Sequence, residues 1–178
     1  MVLASPLVGS ALGLLPKDDG RAAWESLQGR VLAALGGKCA PVNQPVGRIS
    51  ATPTAGATRD ELPVNKVVAA KLHAMDEVRF VLGPEKKQGR PQHAGGLLAV
   101  TPPATGTYVL GSVSQAWIDV VDQDQNSFIR AKHYEWVDFC GRRMKAGVFD
   151  LRAGARYWIQ VSASPDRALD LFVVGPLN

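Results

Sequence analysis

From Gly106 to Gly175 apolar residues recur at every second position in short runs separated by turn residues: GTYVLGS, QAWIDVVD, SFIRAKHY, GVFDLRAG, ARYWIQVS and ALDLFVVG. A period of two puts successive side chains on opposite faces of a strand, so each run can turn one apolar face to a core. Ala116, Ile118 and Val120 alternate with Trp117, Asp119 and Val121, and Tyr157, Ile159 and Val161 alternate with Trp158 and Gln160. Leu169, Leu171 and Val173 alternate in the same way with Asp170, Phe172 and Val174. The rhythm predicts a mainly β protein, an antiparallel β-sandwich of jelly-roll-like type.

The period changes near the N-terminus. Trp24, Leu27, Val31 and Leu35 recur at helical spacing within GRAAWESLQGRVLAALGG, and Gly36 and Gly37 supply a stop. This predicts one amphipathic helix, with Asp18 and Asp19 placed to accept from the free N–H groups of its first turn. Between Cys39 and Pro63 four prolines rule out a continuous helix, leaving a strap with at most one short strand at Val46 to Ser50. NKVVAAKLHAM and EVRFVLG are two further candidate strands, followed by a polar loop at PEKKQGRPQHAGG. The expected organisation is a segment 1–16, a helix and strap over 17–62, and a sandwich domain over 63–178.

A chain of 178 residues, 46% hydrophobic and 20% charged, can bury a core of its own without metal or several disulfides. The surplus of four positive charges comes with no zinc-finger spacing, RNA-binding aromatic signature or basic recognition helix, so no nucleic-acid partner is expected. The opening MVLASPLVGSALGLLP is apolar but too short and too rich in Gly and Pro to span a membrane. Two readings apply to it: an export signal lacking its basic start, which is favoured, or an ordered segment packed on the domain. Cys39 and Cys140 are the only cysteines, and two readings apply to them: a disulfide, which export favours and which would close about 100 residues for roughly 4 kcal/mol of stabilisation, or two unconnected buried thiols. The expected localisation is periplasmic or secreted.

Chemistry-bearing side chains are densest in KHYEWVDFCGRR, from Lys132 to Arg143. Read as a long loop crossing one end of the sandwich, it would use Trp136 and Phe139 as packing anchors and expose a ligand or partner surface. His133, Tyr134, Glu135, Trp136 and Arg142 are its candidate binding residues. Where the segment is extended, His133 and Glu135 share a face, and with His93 they could hold iron or zinc in a metal-dependent enzyme. No HExxH, HxH or CxxC spacing supports that, and no cofactor is expected. Asp122, Asp124 and Asn126 have the spacing with which calcium loops begin, but neither Gly nor Glu follows at the required positions, and a hairpin turn is the simpler reading. Trp158, opposite the core-facing Tyr157, Ile159 and Val161, is the best candidate for an exposed sugar-stacking ring. No nucleophile elbow, P-loop or dinucleotide fingerprint is present.

GGLLAV, GTYVLGSVSQAWIDVVD, the segment from His133 to Cys140 and RMKAGVFDLRAGARYWIQVSAS together resemble a group of small uncharacterised exported proteins of alphaproteobacteria. Some of these carry the label homogentisate dioxygenase. That label implies an iron-dependent, ring-cleaving cupin, from which this chain departs in its short length and its three scattered histidines, His73, His93 and His133. AWIDVVD and FDLRAGARYWIQVS also resemble, more loosely, the paired strands of prepeptidase C-terminal and carbohydrate-binding sandwich modules. These resemblances imply a sandwich fold and an accessory role. The sequence thus leads to a non-catalytic binding or structural module with a protein or carbohydrate partner in the cell envelope. The alternatives are the metal-dependent enzyme and a subunit of an envelope assembly.

Overall fold

A computed structural model describes residues 19–56, 60–85, 90 and 92–177. The opening apolar run, the expected capping carboxylates of Asp18 and Asp19, and Lys86 and Lys87 lie outside what is described. Helix α1 (Asp19–Ala34) leads to a single helical turn, α2 (Ala40–Asn43), and then to the first strand, β1 (Gly47–Ser50). The strands that follow are β2 (Lys66–Lys71), β3 (His73–Ala74), β4 (Ala94–Val100), β5 (Gly106–Ser112) and β6 (Trp117–Asp122). They are completed by β7 (Ser127–Ile129), β8 (His133–Phe139), β9 (Arg142–Leu151), β10 (Tyr157–Ser164) and β11 (Ala168–Val174).

The strands form two sheets, six-stranded in the order β1-β2-β11-β5-β9-β8 and five-stranded in the order β3-β4-β10-β6-β7. The expected sandwich is present, and the strands named above pair antiparallel with one another except β1 with β2, which run parallel. Because β1 joins the larger sheet, and Thr52 and Glu61 bridge to Leu97 and Ala99 of β4, the proline-rich strap is woven into the sandwich.

Alternation along the strands sorts the apolar residues into three layers. Tyr108, Leu110, Phe149, Leu171 and Val173 of the larger sheet meet Leu98, Ile118, Val120, Ile159 and Val161 of the smaller one in the central core. On the far side of the larger sheet, Trp24, Leu27, Val31 and Leu35 seat the helix on Val137, Phe139, Met144, Val148 and Phe172. The helical spacing read from the sequence thus corresponds to the buried stripe. Trp24 meets Phe139 edge-on at 5.6 Å between ring centroids. On the far side of the smaller sheet, Leu97, Ala99, Val121 and Trp158 are covered by Phe80, Val81 and Leu82.

That third layer corrects two expectations. EVRFVLG does not form a strand; it holds one bridge, Arg79 to Thr54, and otherwise lies across the outer face of the smaller sheet. Trp158 is accordingly buried, 5% exposed, and is no sugar platform. The covering segment is fastened by Gln160, itself wholly buried. Its Oε1 accepts from the N–H groups of Val81 (2.8 Å) and Leu82 (3.2 Å), and its Nε2 donates to the Leu82 carbonyl (3.1 Å).

Candidate binding surface

The interval from Lys132 to Arg143 is a β-hairpin and not a loop. Strands β8 and β9 pair in register from His133 with Val148 to Phe139 with Arg142, leaving Cys140 and Gly141 as the turn. Both turn residues have positive φ, 53° and 73°, as a two-residue turn matching the strand twist requires, and glycine takes the second place without steric cost. Cys140 is bonded to Cys39 (S–S 2.12 Å, Cα to Cα 5.2 Å), so the expected disulfide is present and ties the hairpin tip to the segment after α1. Arg142 reinforces that tie: its Nη1 donates to the Val42 carbonyl (3.2 Å) and to Asp170 Oδ2 (2.9 Å). The Arg142 guanidinium is therefore engaged within the fold.

Strand β8 is an edge strand of the larger sheet, and its two faces meet different surroundings. Val137 and Phe139 turn to the helix layer, and Glu135 and the half-buried His133 share their face by alternation. Tyr134, on the other face, reaches between the sheets, where its hydroxyl accepts from the Ile118 N–H (3.1 Å) and its ring meets Trp117 edge-on at 4.7 Å. Burial pushes its ionisation far above the usual tyrosine range. Opposite it stands Gly147, where a Cβ would come within 2.6 Å of both the Tyr134 and Phe149 rings, so only glycine leaves room.

Trp136 follows Tyr134 on that face but lies beyond the sandwich interior. It is 38% exposed, and among the described residues only it and Val46 are large exposed hydrophobics. Cations flank it. Arg143 Cζ lies 5.6 Å and Lys145 Nζ 5.5 Å from its ring centroid, and Lys145 also lies 4.8 Å from the Tyr134 ring and 5.5 Å from that of Trp117. Such contacts hold the rings in a defined orientation. Trp136 and Arg143 wall two hollows. One, about 500 Å³, continues to Val113, Ser114 and Gln115; the other, about 390 Å³, is a cleft between α1 and β8 reaching Trp24, Gln28 and Glu135.

The other expected sites have different fates. Asp122 is buried and closes the β6–β7 hairpin turn: its Oδ1 accepts from the N–H groups of Asp124 (2.9 Å) and Gln125 (3.0 Å), and its Oδ2 from Arg152 (2.8 Å). Asn126 sits in the same turn with φ 46°. Asp122, Asp124 and Asn126 thus build the turn that the simpler reading anticipated, and the carboxylate best placed for calcium already has a partner on each oxygen. His133 and Glu135 lie on the larger sheet, whereas His93 lies just before β4 of the smaller one with its Nδ1 accepting from the Arg90 N–H (3.2 Å). Among the described residues no three His, Cys, Asp or Glu side chains gather as a metal-binding group.

Asp119 was not singled out by the sequence. Nearly buried, it accepts from Trp117 Nε1 (2.6 Å) and from the Glu85 N–H (3.2 Å), beside a hollow of about 220 Å³ at the open edge between the sheets. Burial raises its pKa, which those two bonds only partly offset, and the nearby Glu85 charge adds to the rise. An acid in a strand interior was the available signal, but alternation alone made it look solvated.

Among known proteins, no family model matches the chain and no curated protein matches it. Its functional reading therefore rests on this geometry.

Proposed function

We propose that the protein is an exported, non-catalytic binding module that meets its ligand or envelope partner on the β8–β9 hairpin, with Trp136 at the centre of the contact. The observation that carries this reading is Trp136 itself. In a fold that puts Trp24 and Trp158 in its interior, it stands exposed between two hollows on a hairpin fixed by a disulfide and an ion pair. Large aromatics held rigidly at a surface give much contact area for little loss of side-chain freedom, which is why they dominate binding hot spots. The disulfide supports export, because such bonds persist in oxidising compartments.

Two measurements test the reading. Fractionation of cells after rapid thiol alkylation should recover the chain outside the cytoplasm with Cys39 and Cys140 bonded; a reduced, cytoplasmic pool as the main form overturns export. Screening the intact chain against immobilised polysaccharides and purified envelope proteins should find binding that Trp136→Ala reduces at least tenfold, since a hot-spot aromatic contributes about 2 kcal/mol or more. Binding unchanged in Trp136→Ala overturns the assignment of the surface.

A further inference from the structure

Strand β8 is the long open edge of the sandwich. It ends the six-stranded sheet with seven residues, whereas β1, β3 and β7, at the other three edges, have four, two and three. Short strands, prolines and lysines are common means of keeping an edge from pairing with another chain, and β8 uses none of them. Its two-residue turn makes Phe139 and Arg142 the closing hydrogen-bonded pair, so Glu135, Val137 and Phe139 turn their backbone N–H and C=O groups to β9. Tyr134, Trp136 and Asp138 turn theirs outward, where no strand lies and no backbone bond outside the strands reaches them. The hollow of about 390 Å³ beside α1 is lined by Glu135 and Val137 on one face of β8 and by Trp136 and Asp138 on the other, so it passes along this edge.

The residues of the edge complement themselves. A second β8, antiparallel and related by a two-fold axis at Trp136, puts Trp136 opposite Trp136 of the other copy, Tyr134 opposite Asp138 and Glu135 opposite Val137. All three outward-facing residues then stand in hydrogen-bonded pairs, and every outward N–H and C=O of both edges has a partner. Moving the axis by one residue, to Glu135 or Val137, leaves one of the three without a partner strand, and at Glu135 it also sets two carboxylates directly opposite each other. The Trp136 register instead sets aromatic against aromatic and no like charges opposite. Its nearest like pair, the two Glu135 carboxylates, lies on a diagonal, with Arg21 and Arg143 lining the same hollow. The cations that flank Trp136, Arg143 and Lys145, come from β9, its neighbour on the side away from the edge. The disulfide and the ion pair of Arg142 with Asp170 fix the hairpin tip, so the edge is offered at little ordering cost.

We propose that the chain forms a symmetric dimer by pairing β8 with β8 of a second copy, Trp136 lying on the two-fold axis and the two six-stranded sheets becoming one. The proposal rests on the reading of this hairpin as the contact surface and names its partner.

The test uses the intact, disulfide-bonded chain. Sedimentation equilibrium from micromolar to millimolar concentration should show a monomer in balance with a dimer. Residue-resolved amide exchange at the two ends of that range should slow about tenfold or more at Tyr134, Trp136 and Asp138 in the dimer, while Glu135 and Val137 are protected in both states. Asp138→Pro removes one outward N–H and sets a ring in the path of the second copy without taking a bond from β9. It should keep the far-ultraviolet spectrum and sediment as a monomer throughout; if it fails to fold, the exchange pattern of the unaltered chain decides. A monomer at every concentration overturns the proposal. So does a dimer in which Tyr134, Trp136 and Asp138 exchange as fast as in the monomer, or one that a folded Asp138→Pro forms as tightly, because its contact then lies elsewhere. A monomer that binds a polysaccharide or another envelope protein, and loses it in Trp136→Ala, overturns the dimer and leaves the binding-module reading standing. A monomer whose binding is indifferent to Trp136→Ala overturns both.

Discussion

Gln160 holds Leu82 with both ends of its amide, accepting from the Leu82 N–H at 3.2 Å and donating to its carbonyl at 3.1 Å, in a site where the glutamine is wholly buried. With the Val81 N–H on the same oxygen, one side chain satisfies three backbone groups that the covering segment would otherwise bury unpaired. Gln160→Leu keeps the volume and leaves those groups without partners. It should lower stability by about 2–4 kcal/mol, and hydrogen exchange at the Val81 and Leu82 amides should accelerate well beyond that global change. Acrylamide should then quench Trp158, which the segment covers. Unaltered exchange at these two amides would show that the segment is held by its apolar contacts alone.

The strand positions were legible because alternation reports which residues a strand turns toward its neighbours. It does not report what arrives on the other face. Asp119, Trp158 and Gln160 lie at positions that alternate with the central core, and so read as solvated; a segment some 80 residues away in sequence covers Gln160 and Trp158, and Glu85 bonds Asp119. Strand β8 was hidden for a related reason. As an edge strand with a helix on part of one face and the mouth of the sandwich on the other, it mixes polar and apolar residues on both. HYEWVDF therefore shows no clean period of two, and its sequence alone does not mark it as a strand. The site lies on that strand, so its residue types were visible but their arrangement was not. Trp136 and Arg143 point to a surface only once β9 is seen to pair with β8.

The Cys39–Cys140 bond crosses a sequence separation of 101 residues, joining the end of the helical layer to the tip of the hairpin. Removing it by Cys39→Ala with Cys140→Ala should cost about 2–5 kcal/mol. The hairpin should keep its place, since Arg142 still binds Val42 and Asp170. Urea denaturation measures the cost, and the far-ultraviolet spectrum of the reduced protein should match the oxidised one. A reduced protein that has lost its β signal would mean that the covalent tie organises the hairpin.

Asp122, Asp124 and Asn126 should give no calcium response. Asp122 already has two backbone N–H groups on one oxygen and Arg152 on the other, and calcium would have to displace the guanidinium and still find most of its six to eight oxygens. The thermal midpoint should be the same in millimolar calcium and in excess chelator. A rise of several degrees with calcium, abolished by Asp124→Ala, would reverse this reading of the turn.

Two buried aspartates should shape the pH dependence of stability in opposite directions. Burial favours the protonated form of Asp122, but the N–H groups of Gln125 and Asp124 and the Arg152 side chain outweigh it, holding the carboxyl below its ordinary value of 3.8. Its contribution is present above that value and lost as pH falls through the depressed native one. Asp119 lies above its ordinary 3.8, chiefly through burial, so its contribution is complete below that value and declines as pH rises through the raised native one. Urea denaturation across roughly pH 2.5 to 7 separates them. Arg152→Leu should lift the Asp122 value and flatten the loss of stability on the acid side. Asp119→Asn, though it gives up one of two accepted bonds, should remove the decline above about pH 4 that the wild-type chain shows relative to it. An acid limb unchanged in Arg152→Leu would mean that the backbone N–H groups alone keep Asp122 ionised.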